Sequence, residues 1–157
     1  MAKIRVMAKR KARGKSRSAP ALGFLPDLLG YHLRRAQLAV FQDFAATMGD
    51  ADITPGQFGV IALIDANPGL SQTRLGEIFG IDRSTVVGVI DKLERRGLVE
   101  RASHPSDRRA HALQLSLQGA KVFRELARRV RNHENRIARA LSAPERKLLI
   151  ALLQRIS

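Results

Sequence analysis

The chain has 157 residues, of which 45% are hydrophobic, and carries a formal net charge of +14. This length can bury one core, and the charge favours a polyanionic partner such as nucleic acid. The absence of cysteine excludes disulfides, Cys-ligated zinc and thiol redox switches, and no stretch approaches the roughly 18 apolar residues that span a bilayer, so a cytoplasmic protein without membrane contact is expected.

The start of the chain is strongly basic. Residues 1–18 contain eight Lys or Arg and no Asp or Glu, which leaves +6 of the net charge for the remainder. We expect residues 1–20 to form a basic disordered tail. The following apolar run is interrupted by Pro26 and Asp27, which argues against a secretory signal peptide, whereas an acid-poor, arginine-rich start also resembles a mitochondrial transit peptide.

Residues 24–48 predict a first long helix with apolar side chains on two nearly opposite sides. One stripe consists of Leu29, Leu33, Ala36, Val40 and Phe44, and the other of Tyr31, Leu38, Phe41, Ala45 and Met48. Because one lobe cannot cover both stripes, we expect this helix to lie between its own domain and a partner subunit. A central position in a larger monomeric bundle is the alternative.

Two shorter helices are predicted next. Residues 54–57, Thr-Pro-Gly-Gln, supply an N-cap, a proline at the first helical position and a capping-box glutamine, and Pro68 with Gly69 ends that helix after Asn67. Ser71 caps the second helix. The residues of this second helix that are predicted to face inward are Leu75, Ile78 and Phe79. With the helix that follows, they form a helix-turn-helix unit.

Asp82 is a good N-cap for a third helix, and Gly97 lies where a C′ glycine ends one. The apolar side of this helix contains Val86, Ile90 and Leu93. The opposite side is small, polar or weakly apolar near the N-terminal end, so it can enter a DNA major groove. The candidate DNA-binding residues here are Arg83, Ser84, Thr85, Val87, Gly88 and Lys92.

A β-hairpin is predicted after this helix. Leu98 and Val99 begin one strand, and Leu113, Leu115 and Leu117 alternate along the second. Turn residues at 105–107 lie between the two strands and carry the following basic pair, residues 108 and 109, near the hairpin tip. A helix followed by a strand, a basic turn and a strand is typical of a winged helix.

Residues 93–101, LERRGLVER, and 105–119, PSDRRAHALQLSLQG, resemble the signature of the MarR family of bacterial and archaeal transcriptional regulators. The resemblance covers nearly everything after residue 21. It implies a homodimer that binds a pseudo-palindromic operator and releases it when a small molecule binds. The family's distribution argues against a transit peptide, and the lack of cysteine excludes its peroxide-sensing branch.

The expected fold is mainly α with a small β wing, a winged helix-turn-helix plus a helical dimerisation module. We expect one MarR-type domain at residues 21–157, with the winged lobe at 54–115 and dimerisation helices at 24–48 and 117–157. Ser116 caps a helix that can extend to about Leu141. Its heptad-like seam contains Phe123, Val130 and Ile137, and Leu126, His133 and Ala140. The last helix begins at a capping box, Ser142 to Glu145, and should meet the first helix across the dimer.

The resemblance gives Arg109 a role in the minor groove, with Asp107 positioned to hold its guanidinium and Arg108 to contact phosphate. A solvated hairpin turn is the alternative. The helix that begins after Asp82 is the expected recognition helix. On it, the hydroxyls of Ser84 and Thr85 can meet phosphates or base edges, Val87 can contact a thymine methyl, and Gly88 permits close approach. Arg83 can contact DNA or face solvent.

A candidate effector site lies on the first helix. Tyr31, His32, Arg34 and Arg35 form a group that could stack an aromatic ring and neutralise a carboxylate or phosphate. Since anionic aromatic ligands are common in the family, the resemblance implies an aromatic acid or its coenzyme A thioester. Ordinary interface and surface positions are the alternative for these four residues.

Other functions have less support. His32, His104, His111 and His133 lack the close spacing of metal ligands, so no metal site and no cofactor are expected, and His133 should be buried and hydrogen-bonded. The sequence contains no phosphate loop, nucleophile elbow or paired-carboxylate motif, so an enzyme is not expected. A constitutive architectural DNA-binding protein, for which the basic tail would suffice, remains the alternative to a ligand-responsive repressor.

Overall fold

The structure, a computed structural model, describes residues 20–103 and 111–156. The described residues form six α-helices and three short strands, which confirms the predicted fold, mainly α with a small β wing. The helices are α1 (Leu29–Met48), α2 (Pro55–Ala66), α3 (Gln72–Phe79), α4 (Arg83–Arg95), α5 (Leu117–Ile137) and α6 (Ala143–Leu153). The strands are β1 (Leu70–Ser71), β2 (Val99–Ser103) and β3 (His111–Leu115).

The side chains predicted to start the helices do so. Thr54, Ser71, Asp82, Ser116 and Ser142 each accept a hydrogen bond from the backbone N–H three residues later, and Thr54 and Ser142 form complete capping boxes. Each cap satisfies a backbone donor that has no partner within the first helical turn. Five helix starts are therefore set by local sequence.

The prediction that the first helix begins at residue 24 was wrong by five residues. A separate 3-10 turn, Leu25–Asp27, precedes α1, and Leu28 between them is extended. Pro26 lies in this turn, whose geometry suits its fixed φ. The α-helix begins only after the turn has ended. Only the C-terminal end of α1 is buried, through Phe44 and Met48, while most of its two apolar stripes is exposed.

The sheet has the order β1-β3-β2, with both pairs antiparallel. Sequence reasoning missed β1, because two residues are too few to show an alternating pattern. The prediction that Leu117 continues the second strand was wrong. Since Ser116 already caps α5, Leu117 is the first residue of that helix and is 95% exposed.

The core of the lobe is formed where α2, α3, α4 and the sheet meet. Val86, Ile90 and Leu93 are fully buried on α4, as predicted. On α3, Leu75 is buried and Ile78 is 47% exposed, so the predicted inward orientation was wrong for Ile78. Phe79 is 37% exposed, with the tip of its ring against Gly59 of α2. The two-turn helix packs on α4 through the side that contains Leu75 and Gly76, and this side leaves Ile78 outside.

The long helix α5 packs against α1 and ends at Ile137 rather than near Leu141. Ala140 therefore lies beyond the helix, and the predicted seam is shorter by one position. Leu126 and His133 are buried, and Val130 is half-buried against the core of the same chain. The N-terminal part of this seam thus belongs to the protomer's own core.

The last helix, α6, has no buried residue. Arg146 of α6 donates to Glu134 of α5 at 2.9 Å, and a groove of about 450 Å³ separates α6 from the start of α1. Leu148, Leu149, Ile150 and Leu152 are all more than 40% exposed. Together with the exposed side chains of α1, they form a broad apolar face. In the described part of the chain, no helix is long and apolar enough to cross a membrane.

Candidate nucleic-acid interface

Helix α4 presents a continuous polar surface at its N-terminal end. Arg83, Ser84, Thr85, Gly88 and Lys92 are exposed, in contrast to the fully buried opposite side. Val87, the remaining predicted residue on this helix, is half-buried. Small side chains beside two cations allow close approach to a polyanion. The structure therefore brings all six predicted α4 residues onto one accessible region.

The hydroxyls on this surface are already hydrogen-bonded. Thr85 donates from its backbone N–H to Oδ1 of Asp82 at 2.9 Å and from Oγ1 to Oδ2 at 2.7 Å, and Ser84 Oγ also donates to Oδ1. The Ser84 hydroxyl, followed by the backbone N–H and hydroxyl of Thr85, holds the pKa of Asp82 well below its usual range. In this state both hydroxyls have lone pairs free to accept a hydrogen bond, for example from a base amino group.

Two arginines fix α4 relative to its surroundings. Arg101 of β2 donates to Asp91 and Glu94 of α4, each at 2.5 Å, across the junction between wing strand and helix. Arg96, which caps the C-terminal end of α4, donates at 2.6 Å to both the Ala51 and the Asp52 carbonyl oxygen. The recognition helix is thereby attached on one side to the wing and on the other to the turn between α1 and α2.

The candidate effector residues form a small cluster on the surface of α1. Arg35 Nη1 donates to the Tyr31 hydroxyl at 3.3 Å, and its guanidinium carbon lies 5.6 Å from the centre of the tyrosine ring. Tyr31 and His32 rings meet edge to face at 5.4 Å, and His32 Nε2 is 2.7 Å from the Pro26 carbonyl oxygen. Arg34 donates to Gln37 instead. Three of the four predicted side chains are therefore close together, and Arg34 points to a different partner.

The predicted burial of His133 is confirmed. The imidazole is 2% exposed, its Nδ1 lies 2.6 Å from Oδ1 of Asp43, and its ring meets Phe44 edge to face. Arg136 adds hydrogen bonds of 2.9 and 3.3 Å to the same carboxylate. The hydrogen bonds from Arg136, and next that from His133, hold the pKa of Asp43 well below its usual range. This network joins α1 to α5.

Comparison with known proteins decides the family. A model of the MarR family matches residues 51–110. A candidate transcriptional regulatory protein for the hcr operon of Thauera aromatica is 37% identical over 152 residues, which cover 94% of this chain and 92% of that protein. The chain belongs to the MarR family. It is thus a member of a transcription-regulator family and not of an enzyme family.

Solved structures of the MarR repressor CouR are close to this chain. CouR bound to a 23-mer DNA duplex is 41% identical with a TM-score of 0.84, and covers 88% of this chain and 99% of its own. CouR bound to p-coumaroyl-CoA is 39% identical with a TM-score of 0.79, over 87% and 96% of the two chains. DNA and an aryl-coenzyme A thioester, both predicted as partners here, are therefore ligands of a close relative.

For this MarR-family chain, some predicted positions remain without a structural account. Asp107, Arg108 and Arg109 lie outside the described residues, as does most of the basic tail. Within the described ranges, no group of three or more His, Asp or Glu is arranged to hold a metal ion.

The contacts that Arg96 and Arg101 make were missed by sequence reasoning. The partners of Arg96 are backbone carbonyls 44 and 45 residues away, so no local pattern could indicate them. For Arg101, a weaker signal exists. Asp91 and Glu94 are three residues apart on one helix, and a basic residue on the adjacent strand is a natural partner for both.

Proposed function

We propose that the chain is a homodimeric repressor that binds a pseudo-palindromic operator and releases it when a small aromatic acid or its coenzyme A thioester binds. The observation that carries this proposal is the exposed N-terminal surface of α4, a helix whose C-terminal half is held by contacts of Arg96 and Arg101, in a chain 41% identical to a repressor solved on DNA. Ser84, Thr85 and Arg83 contact base edges or phosphates, and Val87 contacts a thymine methyl. Gly88 permits the close approach of the helix, and Lys92 contacts phosphate.

The apolar face formed by α1 and α6 supports the dimer. Phe41 is 49% exposed and Leu148 is 60% exposed, and many neighbouring apolar side chains are similarly accessible in the single protomer. A contiguous apolar surface of this extent marks an interaction site in a protein that stays in solution. In the dimer this face is covered by its copy, which sets the two recognition helices roughly 34 Å apart, the spacing of successive major grooves.

The effector proposal rests on the chemistry of the Tyr31 cluster and on the ligand of CouR. Tyr31 offers an aromatic face, while Arg34 and Arg35 provide two cations on the same helix. This combination suits a planar anion, and p-coumaroyl-CoA combines an aryl group with phosphates. A ligand held between the dimerisation helices and a lobe would favour a spacing of recognition helices that does not match DNA.

Selection of the operator from genomic DNA, followed by fluorescence anisotropy, tests DNA recognition. A repressor should prefer one palindrome over random duplex by a factor on the order of a thousand or more. An equal affinity for all duplexes would instead identify a constitutive architectural protein, for which the strongly basic composition would suffice.

The effector is tested with p-coumarate and p-coumaroyl-CoA as probes, titrated into the operator complex. Either probe should lower operator affinity in the wild type, and replacing both Arg34 and Arg35 by Gln should weaken this response while leaving operator affinity largely unchanged. The matched control is Arg124→Gln, which removes an exposed cation from α5. If neither probe binds, or if probe and operator bind independently, this effector proposal is wrong.

A further inference from the structure

The carboxylate of Asp82 accepts three hydrogen bonds at the start of α4. Oδ1 accepts from the backbone N–H of Thr85 at 2.9 Å and from the Ser84 hydroxyl, and Oδ2 accepts from the Thr85 hydroxyl at 2.7 Å. The backbone hydrogen bond alone makes the helix cap. Asp82, Ser84 and Thr85 are all exposed. Two hydroxyls on the accessible surface of α4 are therefore held by the residue that also caps the helix.

The direction of these hydrogen bonds is determined by the carboxylate. An ionised carboxylate only accepts, so each hydroxyl must donate to it. The Ser84 hydroxyl, followed by the backbone N–H and the hydroxyl of Thr85, holds the pKa of Asp82 well below its usual range, so the carboxyl is ionised at neutral pH. A hydroxyl has one proton and two lone pairs. With that proton given to Asp82, each hydroxyl acts only as an acceptor toward a ligand.

Binding to DNA should not reverse this direction. To donate to a base carbonyl or ring nitrogen, a hydroxyl would exchange a charged acceptor for a neutral one, and charge-assisted hydrogen bonds are roughly twice as strong. A phosphate oxygen is a charged acceptor, but a phosphate that accepts from either hydroxyl would lie beside the Asp82 carboxylate, and the two anions repel each other. The group best suited to these hydroxyls is therefore a neutral donor.

We propose that Asp82 is a positioning residue that sets the base preference of α4, because it holds Ser84 and Thr85 as acceptors that select the amino groups of adenine and cytosine. In the major groove these amino groups are the donors of the base pairs, whereas guanine presents O6 and N7, and thymine presents O4 and a methyl group. This role of Asp82 rests on the proposed function, in which α4 enters the major groove. Of the two contacts proposed there for both hydroxyls, it favours the base edge over the phosphate.

Removal of single functional groups from the operator tests this role in the wild-type chain. The contacted positions are those at which Ser84→Ala or Thr85→Val abolishes the base preference measured by fluorescence anisotropy. Both variants keep the backbone N–H that Asp82 caps. At these positions, purine in place of adenine, or 2-pyrimidinone in place of cytosine, lacks the amino group and should weaken binding about three- to tenfold, the contribution of one hydrogen bond. By contrast, 7-deazaadenine keeps the amino group and lacks N7, so it should bind as adenine does.

Asp82→Asn tests the direction of the hydrogen bonds. Asn caps a helix about as well as Asp, because its carbonyl oxygen can accept from the Thr85 N–H, but its NH₂ group donates to a hydroxyl. That hydroxyl then directs its own proton outward, so the preference at the contacted position should shift about three- to tenfold toward guanine or thymine.

The matched control is Glu77→Gln. Glu77 is an exposed carboxylate of α3 that pairs with Arg74, and it lines a groove together with Arg83 at the start of α4. Its replacement removes a negative charge close to the same surface without altering the two hydroxyls. Glu77→Gln should therefore strengthen binding to all duplexes alike and leave the base preference unchanged.

The outcomes separate this role from the proposed function. A chain that prefers no duplex would refute both. With a preferred operator in hand, three results would overturn the role of Asp82 alone. These are wild-type binding that is insensitive to loss of the amino groups, equal losses on all duplexes in Ser84→Ala and Thr85→Val, and an unchanged base preference in Asp82→Asn.

Discussion

Arg101 and Asp91 are joined by a 2.5 Å hydrogen bond that connects the wing strand β2 to the recognition helix α4. The second guanidinium nitrogen of Arg101 reaches Glu94 at the same distance, and the arginine side chain is only 23% exposed. These two ion pairs of Arg101 have two consequences. It fixes the angle between strand and helix, and it neutralises two carboxylates that would otherwise repel DNA phosphates.

Arg101→Gln should therefore lower operator affinity about tenfold, or roughly 1.4 kcal/mol, as measured by fluorescence anisotropy. The control is Arg128→Gln, which removes a comparable ion pair, with Glu125, from an exposed site on α5. Adding Asp91→Asn and Glu94→Gln to Arg101→Gln should restore part of the affinity, because the repelling charges are gone. Full affinity in Arg101→Gln alone would show that neither consequence matters for DNA binding.

Local sequence predicted the parts of this fold that depend on neighbouring residues. The cap at Asp82 and the buried side of α4 follow from a hydrogen bond and a helical period within a few residues. By contrast, the attachment of Arg96 to Asp52 depends on packing between elements far apart in sequence. The α4 surface could thus be predicted, whereas the contacts that orient it could not.

The burial predicted for α3 and α5 shows a second limit. Ile78 is apolar and lies at helical spacing from Leu75, yet it is 47% exposed, because α3 packs on α4 through the side that contains Leu75 and Gly76. Val130 fits a heptad seam, but it packs against its own core. Periodicity identifies an apolar face but not which neighbour covers it.

Gly119 should be irreplaceable for a steric reason. A Cβ atom at this position would lie 1.9 Å from the backbone oxygen of Leu98, which cannot rotate away as a side chain could. Gly119→Ala should therefore lower the free energy of unfolding by about 2–4 kcal/mol, measured by urea denaturation. Gly56→Ala is the matched control, since nothing lies within 4 Å of its Cβ position in α2, and it should be neutral or slightly stabilising. Equal stability of the two variants would contradict this close approach.

The Asp43 network should make stability depend on acid pH. Arg136 and His133 hold the pKa of Asp43 below the ordinary aspartate value of 3.8, so the folded state prefers the carboxylate. A lowered folded-state pKa contributes stability that is complete above 3.8 and is lost as the pH falls further. Asp43→Asn should lower Tm near neutral pH, and its Tm should fall less than that of the wild type on acidification below about pH 4. Thermal melts followed by circular dichroism measure both effects, and parallel pH profiles would rule out this role.

Charge placed on α6 should separate dimerisation from folding. Leu148 is 60% exposed in the protomer, so Leu148→Glu should leave each chain folded, yet it would bury a charge in the proposed dimer interface. Light scattering should then report a monomer, or a dimer that dissociates at a much higher protein concentration than the wild-type dimer. Leu117→Glu is the control, because Leu117 is 95% exposed at the start of α5 and does not belong to the apolar face formed by α1 and α6. A stable Leu148→Glu dimer would place the interface elsewhere.

The wing and the tail should contribute to DNA binding in different ways. The family resemblance assigns Arg109 to the minor groove, where an arginine senses groove width and therefore sequence. Arg109→Ala should thus weaken operator binding by about 1–3 kcal/mol and leave random DNA less affected.

Residues 1–18 carry eight cations and no acid, so they can supply only diffuse attraction to phosphates. Their deletion should reduce the salt dependence of binding and weaken operator and random duplex by the same factor, because counterion release does not depend on sequence. Anisotropy titrations of both duplexes at several salt concentrations distinguish the two variants. Equal operator affinity in the wild type and Arg109→Ala would show that this arginine does not reach DNA, and a selective loss of operator binding after the deletion would show that the tail reads sequence.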